Sequence, residues 1–457
     1  MNESWLSISK SIAPPLACAG AIEMGRHRRH LGALALLAGA CGGDGEAEPP
    51  RTDADPDAAG RAAAAALRGL PYLGGAPAPP GEGTGVLRHD RRRSAPGVNL
   101  VTIQLLGRTE LIDADGVVLR SWSHPPSLTW EQAELLPDGD LLVVAARGGT
   151  RPEGEPVRGI PDDSRALLRL DWDGAPVWER RLLVHHDVAL APGGRLVALA
   201  FERVHEPDLH RSIPVRDDRV LLLDPAGAVV EERSLLAVLL GGGAPFELFT
   251  VAPDDLGGAP WVDLLHANSV EWMHGPALEI DHPLYAPDHL LVCLRHQDRV
   301  VALDWTSGAL VWSWGAGALS GPHDAHLLPD GNVLVFDNGL DRRSSGGVEV
   351  DPRTGEVVWE YRPGPSAGFF TASKGSIQRL ANGNTLLAES DRGRAIEVTP
   401  AGEVVWEYRC PYLTPAGNRA AIVRMKRLPA AYVAGIAAAR SGAGAPAETA
   451  AFDAMVR

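Results

Sequence analysis

Apolar and polar positions alternate along this chain in two recurring units, and the repeat points to a fold class before any single residue is weighed. The first unit is an apolar strand, an Asp-containing turn with Gly, and a second strand that usually carries Trp. Its copies are LIDADGVVLRSW (111–122), LRLDWDGAPVW (168–178), LLLDPAGAVVEE (221–232), ALDWTSGALVWSW (302–314), VEVDPRTGEVVWEY (348–361) and IEVTPAGEVVWEY (396–408). Gly116, Gly174, Gly227, Gly308, Gly355 and Gly402 supply the positive φ that a tight hairpin requires. The last three are 47 residues apart, a normal length for a four-stranded blade.

The second unit is an entering strand, a Pro/Asn-Asp/Gly-Gly turn and another apolar strand. It reads WEQAELLPDGDLLVVAA (130–146), HDVALAPGGRLVALAF (186–201), HDAHLLPDGNVLVFDN (323–338) and GSIQRLANGNTLLAES (375–390). HANSVEW (266–272) with HLLVCLR (289–295) is the same unit with an expanded turn. One unit of each kind makes a blade, so blades begin near Trp130, His186, Asn268, His323 and Gly375. A sixth would pair AIVRMKRL (421–428) with NLVTIQLL (99–106), TELIDADG (109–116) and VVLRSW (117–122). Joining both chain ends in one blade closes the ring and leaves no open sheet edge along it. The expectation is an all-β, six-bladed β-propeller over residues 97–430, with a C-terminal tail at 431–457.

Composition agrees. The 457 residues carry a formal charge of −15, which argues against a general binder of nucleic-acid backbone. Trp (12) outnumbers Phe (7) and Tyr (6), as expected if the repeat places it. Four Cys are too few for a disulfide scaffold of this size. Cys293 and Cys410 fall in different blades and are expected to be unpaired. The 81-residue step from Gly227 to Gly308 holds two insertions, 241–262 and 274–288. Long loops of this kind are often lids.

The N-terminal pattern differs. From Met24, an alternative start, the chain has Arg26, Arg28 and Arg29, then an apolar run from Leu31 to Ala40. The run is too short to span a bilayer and suits a signal sequence. It ends Ala38-Gly39-Ala40-Cys41, which is similar to a bacterial lipoprotein signal with Cys41 lipidated. Residues 1–41 are thus read as the signal peptide, and the body as exported and anchored on the periplasmic side. Residues 42–96, rich in Ala, Pro, Gly, Asp and Arg, read as a disordered tether.

In a propeller the first strand of each blade lines the channel. His186 and His323 both stand six residues before a turn proline, Pro192 and Pro329. Asn268 falls near that position in the expanded blade, with His266 two residues earlier and so on the same face. Three blades thereby aim His or Asn at one axis. Arg295, ending the next strand of that blade, is a candidate anion clamp beside His296. His185 either faces away from His186 or tops the channel. His326, three after His323, takes the other face. No Walker loop, GxGxxG, GxSxG, HExxH or paired-Cys spacing is found, so neither a nucleotide nor a metal is expected.

These residues carry a resemblance. LLHANSVEW, LVCLRHQDRVVALDWTSGALVWSWG, GPHDAHLLPDGNVLVFDNG, EVDPRTGEVVWEY and GSIQRLANGNTLLAES strongly resemble the bacterial arylsulfotransferases, periplasmic propeller enzymes that do not use the nucleotide sulfate donor. The resemblance implies a sulfuryl group moved from an aryl sulfate to a phenol by ping-pong chemistry through a sulfated histidine, with no cofactor. It implies His323 as the histidine that is sulfated. His186, His266, Asn268 and Arg295 would be its catalytic companions, and His185 and His296 substrate-binding neighbours. Whether His185 or His186 is the upstream site histidine stays open, as does a homodimer. Neutral imidazole suits the nucleophile, and a guanidinium fork suits sulfate oxygens. The implied partners are small-molecule aryl sulfate and phenol, and a membrane through the lipid anchor. ALDWTSGALVW also resembles the docking repeat of quinoprotein propellers, including a non-enzymatic scaffold, but those rings usually have eight blades. An inactive ligand-binding propeller is the third reading.

Overall fold

In a computed structural model of the protein, residues 75–79, 81–147, 162–241, 244, 246–249, 261–364, 368–414 and 416–440 are described. The signal segment, Cys41 and most of the expected tether lie outside them. The described chain forms six antiparallel sheets of four strands in ring order, two of them extended by an extra strand, and a small two-stranded sheet that pairs Gly75–Ala76, inside the expected tether, with Arg419–Ala420. Blade 1 takes its innermost strand, Ile422–Leu428, from the C-terminal end and its others, Val98–Ile103, Arg108–Ile112 and Val118–Ser123, from the N-terminal end. The expected closure is therefore present. Met425 stands opposite Val101, and Val101 opposite Glu110. The innermost strands of blades 2 to 6 are Ser127–Leu135, Val184–Ala191, Ala267–Trp272, His323–Leu327 and Ser376–Arg379.

Side chains lace the innermost strands together. Val270 N donates to Asp187 Oδ2 (2.9 Å), Ala325 N to Ser269 Oγ (3.0 Å), Ile377 N to Asp324 Oδ2 (2.7 Å) and Met425 N to Ser376 Oγ (3.2 Å). Each bond reaches from one blade to the next. Asp187, Ser269, Asp324 and Ser376 thus occupy one position of the repeat. The residues before them, His186, Asn268, His323 and Gly375, are equivalent too.

Tryptophan closes the rim. Trp122, Trp314, Trp359 and Trp406 lie on outermost strands and donate Nε1–H to backbone carbonyls of Trp172, Gly355, Pro400 and Ala114, at 2.9, 3.2, 3.0 and 2.8 Å. Every acceptor sits in the hairpin of the following blade, and the Trp406 bond crosses from blade 6 back to blade 1. A large apolar ring with one donor is suited to such a seam, which explains the Trp excess.

Two boundaries move. The tether expected for 42–96 does not extend across residues 85–89. Gly85–His89 pairs with the outermost strand of blade 6, Val404–Arg409, with Val86 opposite Tyr408 and His89 opposite Trp406. Five residues with two apolar side chains suffice once a waiting edge supplies the hydrogen bonds. The expected tail begins as the helix Ala430–Arg440. Tyr432 and Ile436 are buried, and the Tyr432 hydroxyl donates to Leu135 O in blade 2 (3.1 Å). The 274–288 insertion lies at the end of the ring opposite the strand starts. Tyr285 is buried and donates to Gly331 O (2.8 Å), which ties the insertion to the turn of blade 5. It packs as a brace rather than a lid. Cys293 and Cys410 are buried free thiols.

Candidate active site

Innermost strands carry a backbone irregularity near their starts. His186, His266 and Asp324 all have positive φ (57°, 51° and 52°). Such angles are uncommon for residues other than Gly, and strain of this kind tends to collect at functional sites. The ladders slip between Val184 and Val188, between Ala267 and Ser269, and between His323 and His326. These bulges re-aim side chains.

His323 is 3 % exposed. Its Nδ1 lies 2.7 Å from Asn338 Oδ1 and 3.2 Å from Gly321 O. Asn338 is itself fixed, because Nδ2 donates to Thr371 O (2.8 Å) and Lys374 O (2.7 Å). Its oxygen must therefore face the imidazole, so Nδ1 carries the hydrogen and Nε2 the lone pair. That Nε2 is buried and has no hydrogen-bond partner. Burial, and next the positive charge of Arg295, push the His323 pKa down to about 3. The ring is neutral at physiological pH and its lone pair is available.

Around it stand the other expected residues. The His186 and His266 rings are 5.0 Å apart, and those of His266 and His296 4.5 Å. His266 Nδ1 donates to Asp263 Oδ2 at 2.5 Å. Arg295 is 3 % exposed and donates from Nη1 to His296 Nε2 (2.7 Å) and from Nη2 to Ala372 O (3.2 Å). His296 Nδ1 in turn donates to Asp263 O (2.7 Å). Burial and the neighbouring His266 hold His296 well below its ordinary pKa. Asn268 Nδ2 donates to Pro322 O (2.8 Å), one residue before His323, and so fixes the entry to that strand. Burial would raise the Asp263 pKa, but His266 and Arg216 outweigh it and keep the carboxyl well below its usual range.

The two upstream histidines separate. The His186 ring faces His266, whereas His185 is fully buried behind it. Both His185 nitrogens are occupied, Nδ1 by His186 Nδ1 (2.7 Å) and Nε2 by Ala200 O (3.1 Å) and Asp218 (3.3 Å). His185 therefore does not touch a substrate, contrary to the substrate-binding role expected for it.

Donor atoms of Asp263, His266 and His296 gather within 4.8 Å of one another. The donor set does not fit a cation well. Both His296 nitrogens are bonded, and Arg216 stands 3.5 Å from Asp263. The two buried guanidinium groups of Arg216 and Arg295 beside this set favour an anion.

A cavity of about 540 Å³ opens at the opposite mouth of the channel, lined in part by Leu328, Leu380, Met425 and Pro429. Several of its charged groups are paired. Arg424 bridges Asp187 (3.2 Å) and Asp324 (2.5 Å), His326 bridges Asp324 (3.2 Å) and Glu271 (2.8 Å), and Lys426 meets Glu134 (2.7 Å).

Asn338, Asp263 and Asp218 were not among the expected site residues. A signal existed for one of them. Arg295 and Asn338 each directly follow the second strand of a blade, His289–Leu294 and Val333–Asp337. Matching strand ends as well as strand starts brings Asn338 into the set.

By fold and site, this is a six-bladed propeller with a histidine- and arginine-lined centre at one mouth of its channel. The description Arylsulfotransferase (ASST) matches residues 165–410, 246 of 457 positions and more than half of the chain. The chain belongs to the arylsulfotransferase family. Membership supports a sulfotransferase-type enzyme with aryl sulfate and phenol as its small-molecule substrates. No curated protein matches. Among solved structures, a protein of unknown function from Bacteroides caccae is similar at 13 % identity, with 68 % of this chain and 93 % of that chain covered and a TM-score of 0.42. A catalytically inactive virginiamycin B lyase from Staphylococcus aureus, solved with quinupristin, is similar at 12 %, covering 72 % and 88 %, with a TM-score of 0.38. Likenesses this distant carry no argument about chemistry.

Proposed function

We propose that the protein moves a sulfuryl group from an aryl sulfate to a phenol, without a nucleotide donor, through a sulfohistidine at His323. One observation carries the reading: His323 Nε2 is buried and unpartnered while its other nitrogen is held by a fixed amide. Nε2 attacks sulfur in line with the aryl oxygen. The N–S bond forms, the S–O bond breaks, and a phenolate leaves. A phenolate is a fair leaving group, since phenol has a pKa of about 10. Arg295, whose positive charge acts on His323, holds the sulfuryl oxygens through its guanidinium group. His266 flanks that group, His296 holds the Arg295 guanidinium in place, and Asn268 positions the nucleophile's strand. A phenol then reverses the chemistry and takes the group.

The test uses purified protein, a nitrophenyl sulfate donor and phenol, with no nucleotide. Nitrophenol release that depends on phenol, and one extra sulfuryl group on the His323 peptide after donor alone, are expected. A label on another residue, or transfer only with a nucleotide donor, would overturn the assignment.

Export and anchoring through Cys41 belong to the same reading and rest on the signal pattern of residues 24–41. Cys41→Ser should release the protein from membranes or block its processing. An unchanged membrane fraction and unchanged mature mass would count against the anchor.

A further inference from the structure

We propose that Asp218, His185 and His186 form a proton relay for the accepting phenol, with His186 as the base and the other two as positioning residues behind it; this rests on the sulfohistidine reading above.

The hydrogen-bond directions fix the relay. His185 Nε2 faces Ala200 O (3.1 Å) and the Asp218 carboxylate (3.3 Å). Both are acceptors only, so Nε2 carries the hydrogen of the neutral ring. His185 Nδ1 is then a lone pair, and the 2.7 Å contact between the two Nδ1 atoms is a donation from His186. The lone pair of His186 is thereby fixed on Nε2. Asp218 is anchored by Arg216 Nε (2.9 Å) and by Ala267 N (2.8 Å). Other charged or titratable groups around the pair are Glu131 and Arg165 from blade 2, Asp263 and His266 from the entry to blade 4, and His323 from blade 5.

This arrangement repeats the one at His323 with a single change. There Nδ1–H donates to an amide oxygen, which cannot take up a proton. Here it donates to an imidazole, which can.

When the phenol oxygen attacks the sulfohistidine, the O–S bond forms and the S–N bond breaks. Its electron pair returns to His323 Nε2. The phenol proton passes to His186 Nε2, and the hydrogen on His186 Nδ1 shifts to His185 Nδ1. An imidazolium is left against the Asp218 carboxylate. The reverse shift returns the proton to the phenolate expelled from the next donor, so the cycle balances.

The relay predicts a split between half-reactions. Nitrophenolate leaves without needing a proton. In His185→Gln, the nitrophenol burst with donor alone should stay within about twofold of the unaltered protein. Transfer to phenol should fall by roughly 10-fold or more, within the range of general-base effects. The loss should shrink with acidic phenols that arrive ionised, and Asp218→Asn should show the same pattern. Equal loss in both half-reactions, or a loss that ignores acceptor acidity, would mean that the pair is merely structural. Unchanged transfer in both variants would overturn the relay. If the unaltered protein gives neither burst nor transfer, the sulfohistidine reading itself fails, and the relay with it.

Discussion

Blades 3 and 5 offer the same two residues at the same place, His186-Asp187 and His323-Asp324, yet their surroundings differ. Each histidine donates from Nδ1 to a fixed partner, His185 in one case and Asn338 in the other. The aspartates that follow divide in the same way. Both meet Arg424 and both accept a backbone N–H from the next blade. Burial pushes Asp187 up to about 6, and its guanidinium contact is the longer one. Burial acts on Asp324 too, but Arg424 and His326 outweigh it and hold its carboxyl below the ordinary range. A repeat sets where a side chain starts. The one neighbour that is not repeated sets its chemistry.

The largest effect should separate the two histidines. His323→Ala should remove both burst and transfer, with turnover down by about 10⁴ or more, as expected when a covalent nucleophile is lost. His186→Ala should keep a burst and slow transfer by roughly 10²-fold. Rapid-mixing measurements of nitrophenol release, followed by phenol addition, would show the contrast. A burst in His323→Ala would end it.

The partner can be changed instead. Asn338→Asp places a carboxylate at His323 Nδ1, and a nearby opposite charge typically raises an imidazole pKa by about 1–3 units. Starting from about 3, the nucleophile would then protonate near pH 4–6. The burst should be slower at pH 5 than at pH 8, by about twofold at the middle of that range and about tenfold at its top, whereas the unaltered protein changes little over that span. Asn338→Ala also strips the donors from Thr371 O and Lys374 O, so it controls for that loss. A pH profile shared by both variants would show that the amide does not set the tautomer.

Stability should divide the aspartates. Asp324→Asn breaks a buried ion pair at 2.5 Å and leaves Arg424 with a poorer partner. Removing one member of such a pair commonly costs about 3–5 kcal/mol. Asp187→Asn should cost less, about 1 kcal/mol, because its carboxylate is already disfavoured and an amide oxygen still accepts Val270 N. Urea unfolding at pH 7 measures both. Equal losses would mean that Arg424 holds the two aspartates alike.

Much of this was legible in the sequence because the ring repeats. Six hairpin glycines, the Trp positions and the split blade follow from spacing. The alignment of His186, Asn268 and His323 follows from distance to the turn proline. Edge context was not legible. Residues 355–361 and 402–408 are the same heptapeptide, Gly-Glu-Val-Val-Trp-Glu-Tyr. Val358 is 52 % exposed, while its counterpart Val405 is fully buried under the strand Gly85–His89. No local pattern distinguishes the two. Nor does spacing reveal that His185 turns inward or that Asn338 meets His323, since these contacts depend on side chains from separate strands.

The smallest expected effect tests the Asp324 side of the contrast through its other cation. His326 lies between Asp324 (3.2 Å) and Glu271 (2.8 Å). Burial opposes its charge, but the two carboxylates win and raise its pKa to about 10. About a third of the side chain is exposed, so solvent screens part of this. The sign follows from linkage. The folded state binds the His326 proton more tightly than the unfolded chain, whose histidines titrate near 6.5. The contribution is whole below pH 6.5 and fades as pH rises toward 10. His326→Gln should therefore lower stability most at about pH 6, with the gap to the unaltered protein narrowing by pH 9. Asp187→Asn should show the same direction of change in a lower window, its cost narrowing between about pH 4 and pH 6. A raised carboxyl pKa weakens the native state as pH climbs from about 4 through 6, and the amide removes that slope. Parallel stability curves for His326→Gln and the unaltered protein would show that His326 is not charged between its two acids.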